Sequence, residues 1–180
     1  MKKHGELTAR IAKKLFAELE SRGYDVLYDH GATNDGNVGK IVSWFGSKYQ
    51  RGAELSQLDI AIVEKNSGKI FALIEIEETT DNPKKILSDV LGTLLGEHIR
   101  FAGNRELTID SNTMLIILGQ SKKRHQERNQ YIQAQAMKVK SSSATASSKL
   151  KTVFVDSFAD EDELAKLLPS VLDRAFRGEL

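Results

Sequence analysis

Two short runs constrain this chain more than anything else in it: Leu58-Asp59-Ile60-Ala61-Ile62-Val63 and Ala72-Leu73-Ile74-Glu75-Ile76-Glu77, joined across Lys65-Asn66-Ser67-Gly68-Lys69. Both are dominated by aliphatic residues and the segment between them has turn composition, which predicts a hairpin of two strands over 57–63 and 70–77. A turn centred on Ser67 sets Asp59 directly across from Glu75. Side chains alternate along a strand, so Glu77 shares the face of Glu75. Three carboxylates then fall on one patch. Like charges opposed across a sheet are destabilising, and partial burial makes ionised carboxylates costlier still. A divalent cation is the simplest compensation. Mg²⁺ takes oxygen ligands, usually from one or two protein carboxylates, and leaves positions for water and phosphate. A register slip of one residue would instead turn the acids apart, and acids on a strand also occur as a plain solvated face. Hairpin geometry alone leaves these readings open.

Around the hairpin, apolar periodicity outlines the remaining elements. Leu7, Ile11, Leu15 and Leu19 give one face of a helix over 6–21, closed by Gly23. A short strand is expected at 25–28. Residues 29–57 are glycine-rich with little periodicity and read as a long loop with room for a turn or short strand; a loop of that length in a compact domain is functional or disordered. Pro83 opens a helix over 83–100, with Ile86, Val90, Leu94 and Leu95 facing inward. The wholly apolar run at 114–118 reads as a buried central strand. A polar helix at 124–138, a flexible low-complexity loop at 141–148 (SSSATASS), a strand at 152–155 and a helix at 161–176 complete the chain. The order α-β-β-β-α-β-α-β-α in 180 residues predicts one α/β domain, 1–180: a central mixed sheet, part antiparallel meander and part parallel, with helices on both faces.

The succession helix, strand, "LDIAIV", tight turn, "FALIEIEET", helix resembles the PD-(D/E)xK nuclease superfamily, the restriction-endonuclease-like fold. The resemblance covers residues 6–118, and the last two helices are compatible with it. It implies a Mg²⁺- or Mn²⁺-dependent endonuclease that hydrolyses DNA phosphodiester bonds, with Asp59 and Glu75 as metal ligands. The family usually has Lys two residues after the second acid, to position or activate the attacking water; here Glu77 stands in that place, as Glu does in a minority of type II restriction endonucleases. Glu77 is then a base, a further metal contact or a mark of lost activity. Lys84 or Lys85, one helical turn on, can supply a displaced lysine. Many members also carry a Glu on the first helix; Glu6 matches that position and Glu18 rivals it. Acids near a helix start also simply favour its dipole.

Basic residues cluster twice. Between 122 and 151, Lys122, Lys123, Arg124, Arg128, Lys138, Lys140, Lys149 and Lys151 face a single acid, Glu127. Such a segment contacts phosphates without sequence preference. The 29–57 loop adds Lys40, Lys48 and Arg51 among Trp44, Phe45 and Tyr49, a mixture suited to nucleic acid, although the same aromatics can equally pack into a core. The expected partner is therefore DNA, with a homodimer left open. The alternatives are a DNA-binding or protein-interaction module that keeps the fold without catalysis.

Other chemistries drop out. Gly36-Asn37-Val38-Gly39-Lys40 lacks the first glycine and the Ser/Thr of a phosphate loop. The four histidines have no metal-ligand spacing, and no G-x-S-x-G elbow exists. With no cysteine, disulfides and thiolate zinc sites are excluded, which fits a reducing compartment. No signal-peptide pattern opens the chain, and no run nears the roughly 18 apolar residues of a membrane span. A cytoplasmic, non-membrane protein is expected.

Overall fold

The computed structural model describes residues 5–30, 36–78, 83–121 and 126–180. Its elements are α1 (Glu6–Leu19), β1 (Tyr24–Tyr28), β2 (Ile41–Trp44), β3 (Glu54–Leu58), β4 (Ile60–Glu64), β5 (Ile70–Glu77), α2 (Pro83–Leu94), β6 (His98–Phe101), β7 (Arg105–Thr108), β8 (Met114–Gln120), α3 (Gln126–Lys140), β9 (Thr152–Phe158) and α4 (Glu161–Phe176). The fold is α/β. A five-stranded mixed sheet has the order β1-β4-β5-β8-β9. Its first three strands pair antiparallel, and β5-β8 and β8-β9 pair parallel.

The sheet's two faces are buried by different helices. Leu7, Ile11, Leu15 and Leu19 of α1 pack with Leu164, Leu168, Val171 and Leu172 of α4 on Ile60, Ile62, Ile74 and Ile116. Ile86, Val90 and Leu94 of α2 and Ile132 and Ala136 of α3 pack on Ala61, Leu73, Leu115 and Ile117. Alternate residues of each central strand thus enter opposite cores, which is why these strands read as unbroken apolar runs.

Several boundaries differ from the sequence reading, and one difference is architectural. The 29–57 segment holds β2 and β3, and the tail of the expected 83–100 helix holds β6. With β7 these form a second sheet, β3-β2-β6-β7. The strand expected at 57–63 is divided at Asp59, where the chain leaves β3 of the small sheet and enters β4 of the large one. Helix α2 stops at Leu94 because Gly96 brings the chain tightly against Ser43: a Cβ there would sit 3.0 Å from that of Ser43. The stretch at 141–148 contains a 3₁₀ turn, Ser143–Thr145, with the Thr145 hydroxyl buried and donating to the carbonyls of Val139 and Lys140. Among the described residues, no helix is long and apolar enough to cross a membrane.

Candidate active site

β5 lies at the centre of the large sheet, between β4 and β8. Ile60 pairs with Ile74 and Ala61 with Leu73, so one step on, Asp59 stands across from Glu75. This is the register that a turn at Ser67 predicts, despite an irregularity between Ile62 and Val63. Asp59 itself sits at the corner between the sheets. Its N–H donates to the Ile74 carbonyl at 3.1 Å, its carbonyl accepts from Asp29 N–H at 2.8 Å, and its Oδ2 accepts from Ile76 N–H at 2.7 Å. The corner is thereby tied to β5 and to the end of β1.

Leu73 belongs to the core under α2, and alternation carries Glu75 and Glu77 onto that face. Helix α2 delivers two more charged groups, Lys85 and Asp89, one turn apart. Carboxylate oxygens of Glu75, Glu77 and Asp89 lie within 4.8 Å of one another. The Lys85 ammonium contacts Glu77 Oε2 directly and stands 4.0 Å from Glu75 Oε1 and 3.9 Å from Asp89 Oδ2. Side-chain exposure rises from 3% at Glu77 through 12% at Glu75 and 20% at Asp89 to 48% at Lys85. The cluster is therefore closed at its floor and open to solvent on the α2 side.

Electrostatics reflect the crowding. Burial pushes the Glu75 carboxyl up to about 9, helped by the charges of Asp59 and Asp89 and opposed by Lys85. Burial likewise raises Asp59 to about 6, against the stabilising N–H of Ile76. Asp89 is raised by burial and pulled back by Lys85. Its Oδ2 is buried without a hydrogen-bond partner among the described residues. An all-carboxylate set with such an atom suits a hard divalent cation such as Mg²⁺ or Mn²⁺.

The residues singled out in the sequence are distributed unevenly around this cluster. Glu75 and Glu77 are in it; Asp59 lies beside it, outside the three-acid group but acting on Glu75. Glu6 is exposed at the start of α1, a helix that packs on the opposite face of the sheet, and Glu18 is exposed farther along it; neither belongs to the acidic group. Lys40 is engaged by Glu54 at 3.0 Å, while Lys48 and Arg51 are exposed. Lys122, Lys123 and Arg124 lie outside the described residues.

Sequence reasoning missed Asp89. The signal was available: Asp89 lies four residues after Lys85 and sits between the buried Ile86 and Val90, so a helical projection turns it toward β5. His30, set aside with the other histidines for want of metal-ligand spacing, adopts φ 64° and lies close enough to Asp59 to act on its carboxyl. A Cβ on Gly5 would fall 2.3 Å from the His30 ring, so a glycine is needed there for the ring to fit.

No family model, curated protein or solved structure matches the chain.

Proposed function

We propose that this protein is a divalent-metal-dependent nuclease that hydrolyses DNA phosphodiester bonds at the carboxyl end of β5. The observation that carries the reading is the junction of Glu75, Glu77 and Asp89 around Lys85, set beside Asp59. The sheet order, with an antiparallel β1-β4-β5 meander continued in parallel by β8 and β9, supports a restriction-endonuclease-like architecture for it. Placing four carboxyl groups together costs stability unless cations or protons offset it. Lys85 offsets part, and a retained proton on Glu75 offsets more. Glu75, Asp59 and Asp89 are the residues that would hold Mg²⁺ or Mn²⁺.

When bound, the ion polarises the phosphate and lowers the pKa of a coordinated water. The chain's own groups do the rest. Glu75, raised to about 9, would give up its proton on taking the ligand role, whereas Asp59, raised only to about 6, is already largely ionised at neutral pH. Lys85 occupies the cationic place that the family motif assigns to strand position 77: its ammonium, more exposed than the acids, is within reach of an entering phosphate and can hold the attacking water. Glu77, buried at the floor, fixes that ammonium. In this arrangement the motif's lysine is supplied from α2, and Glu77 orients it.

The contact between Lys85 and Glu77 also favours a second reading. An internal cation that already neutralises the floor of the cluster suits a non-catalytic DNA-binding module of the same fold. Incubating the protein with supercoiled plasmid and a single-stranded circle in EDTA, Mg²⁺ or Mn²⁺ separates the two. Metal-dependent nicking supports the nuclease; salt-sensitive binding of both DNAs without nicking in either metal supports the module.

A further inference from the structure

Away from the acidic cluster, the connection from β2 to β3 carries an aromatic ring that the fold does not use. Three aromatic residues lie in or beside it, and two are committed. Trp44 is 2% exposed and stacks on His98 at 4.6 Å. Tyr49 donates its hydroxyl to Glu54, packs edge-on against Trp44 at 5.7 Å, and carries the Arg100 guanidinium 3.8 Å above its ring. Phe45 alone turns outward, 48% exposed, with no ring packed on it among the described residues.

Its position is nevertheless fixed. Phe45 N–H donates to the Ala53 carbonyl at 3.3 Å, and the next residue, Gly46, has φ 98° and donates its N–H to Glu97 at 3.3 Å. The positive φ at Gly46 is a conformation that only glycine adopts without strain. Phe45, Gly46, Ser47, Lys48, Gln50 and Gly52 line an open hollow of about 400 Å³. Its walls are small or polar apart from the ring. Lys48 and Arg51 are exposed and form no ion pair among the described residues, while Lys40 and Arg100 are held by Glu54 and Glu106. The loop from 45 to 53 contains no acid.

We propose that this hollow receives an unstacked base of a nucleic-acid strand, with Phe45 as the stacking platform and Lys48 and Arg51 on the flanking phosphates. A planar ring beside the exposed cations Lys48 and Arg51, on a loop that itself carries no acid although the Glu97 carboxylate lies against Gly46, matches what a nucleotide presents: a π-face and a negative backbone. An acidic protein surface would use the cations but not a ring beside a hollow. The proposal rests on the nuclease reading for its substrate class and adds a second contact to it. β3 connects the two places directly: Asp59 follows six residues after Ala53, about 20 Å along an extended strand.

The test is fluorescence anisotropy in EDTA, where nothing is cut, so its outcome is independent of whether the protein cleaves. A labelled mixed-sequence single strand is titrated with wild type, Phe45→Ala, Phe45→Tyr and the double variant Lys48→Gln/Arg51→Gln; inorganic polyphosphate serves as a base-free competitor. Phe45→Ala is expected to weaken binding about 5- to 150-fold with its salt dependence unchanged, and Phe45→Tyr to restore it. The double variant should flatten the log–log salt slope by about 1.4. Polyphosphate should compete equally well for wild type and Phe45→Ala. Unaltered binding by Phe45→Ala, equal losses toward polyphosphate, a preference for duplex that ignores Phe45, or no binding by the wild type would each overturn the proposal. All the substituted side chains are exposed, and matching melting temperatures establish that the variants fold.

Discussion

Lys85 of α2 sets its ammonium against the Glu77 carboxylate of β5 and within 4.0 Å of Glu75 and Asp89. A buried glutamate at position 77 is thereby paired, and a partly exposed lysine is held over the acids from the neighbouring helix. The expectation that Glu77 points with Glu75 agrees with this placement; its partner is an ammonium that strand alternation alone does not reveal.

The pair predicts a charge-swap result. Glu77→Lys should put two ammonium groups together over a buried floor and destabilise the fold by about 1–3 kcal/mol. Lys85→Glu alone should crowd a further acid onto the cluster. The double variant restores one cation and one anion, so its loss should fall short of the sum by about 0.5–3 kcal/mol. Urea denaturation of the four proteins measures this. Additive losses would mean that Lys85 and Glu77 do not act as a pair.

Asp59 separates a structural from a chemical role. Its Oδ2 accepts from Ile76 N–H at 2.7 Å, and an amide oxygen can take over that bond. Asp59→Asn should therefore fold with little loss but bind divalent metal weakly and cleave poorly. Asp59→Ala leaves the Ile76 N–H without its acceptor and should lose about 1–3 kcal/mol of stability as well. Equal stability of the two variants would show that the hydrogen bond contributes nothing.

The raised carboxyls predict how stability follows pH. An unfolded glutamate titrates near 4.5, while native Glu75 keeps its proton to about 9. Between those values the native state binds more protons than the unfolded chain, so stability falls as pH rises. Asp59, raised from 3.8 to about 6, adds the same sign over its own window. The melting temperature in EDTA should decline from about pH 5 to 9. A bound cation favours the ionised forms, so Mg²⁺ should flatten the decline, and Glu75→Gln should remove most of it. A melting temperature in EDTA that holds level or rises through that range would contradict the burial of these acids.

Much of this was legible in the sequence, for identifiable reasons. The hairpin register followed from the turn at Ser67 between two aliphatic runs, because in a hairpin the length of the connecting turn sets which residues pair. The apolar run at 114–118 reads as a buried central strand, and β8 occupies that place between β5 and β9. The small sheet was hidden because its strands are short and its tight contacts are made by small residues: Ser43, Ser56 and Thr93 share a hydroxyl network there, with Gly92 against Leu55 and Ser56. The alternation in β6, with Ile99 and Phe101 buried between His98 and Arg100, spans only four residues and continues the apolar spacing of α2. The break at Asp59 was hidden for the opposite reason, since 57–63 reads as one continuous strand although the chain changes sheets within it. Asp89 is marked in the sequence only by its helical spacing from Lys85 and the buried Ile86 and Val90, and its place beside Glu75 and Glu77 emerges when α2 packs on the face of the sheet that carries them.

Isothermal titration of Mn²⁺ in buffers of differing ionisation enthalpy decides whether Glu75 and its neighbours form a cation site. At neutral pH binding should be saturable and accompanied by release of about one proton, since Glu75 must ionise to become a ligand. Glu75→Gln should abolish both the binding and the proton release while keeping its melting transition. Absence of saturable binding in the wild type, or identical binding and proton release in Glu75→Gln, would mean that these carboxylates hold no cation.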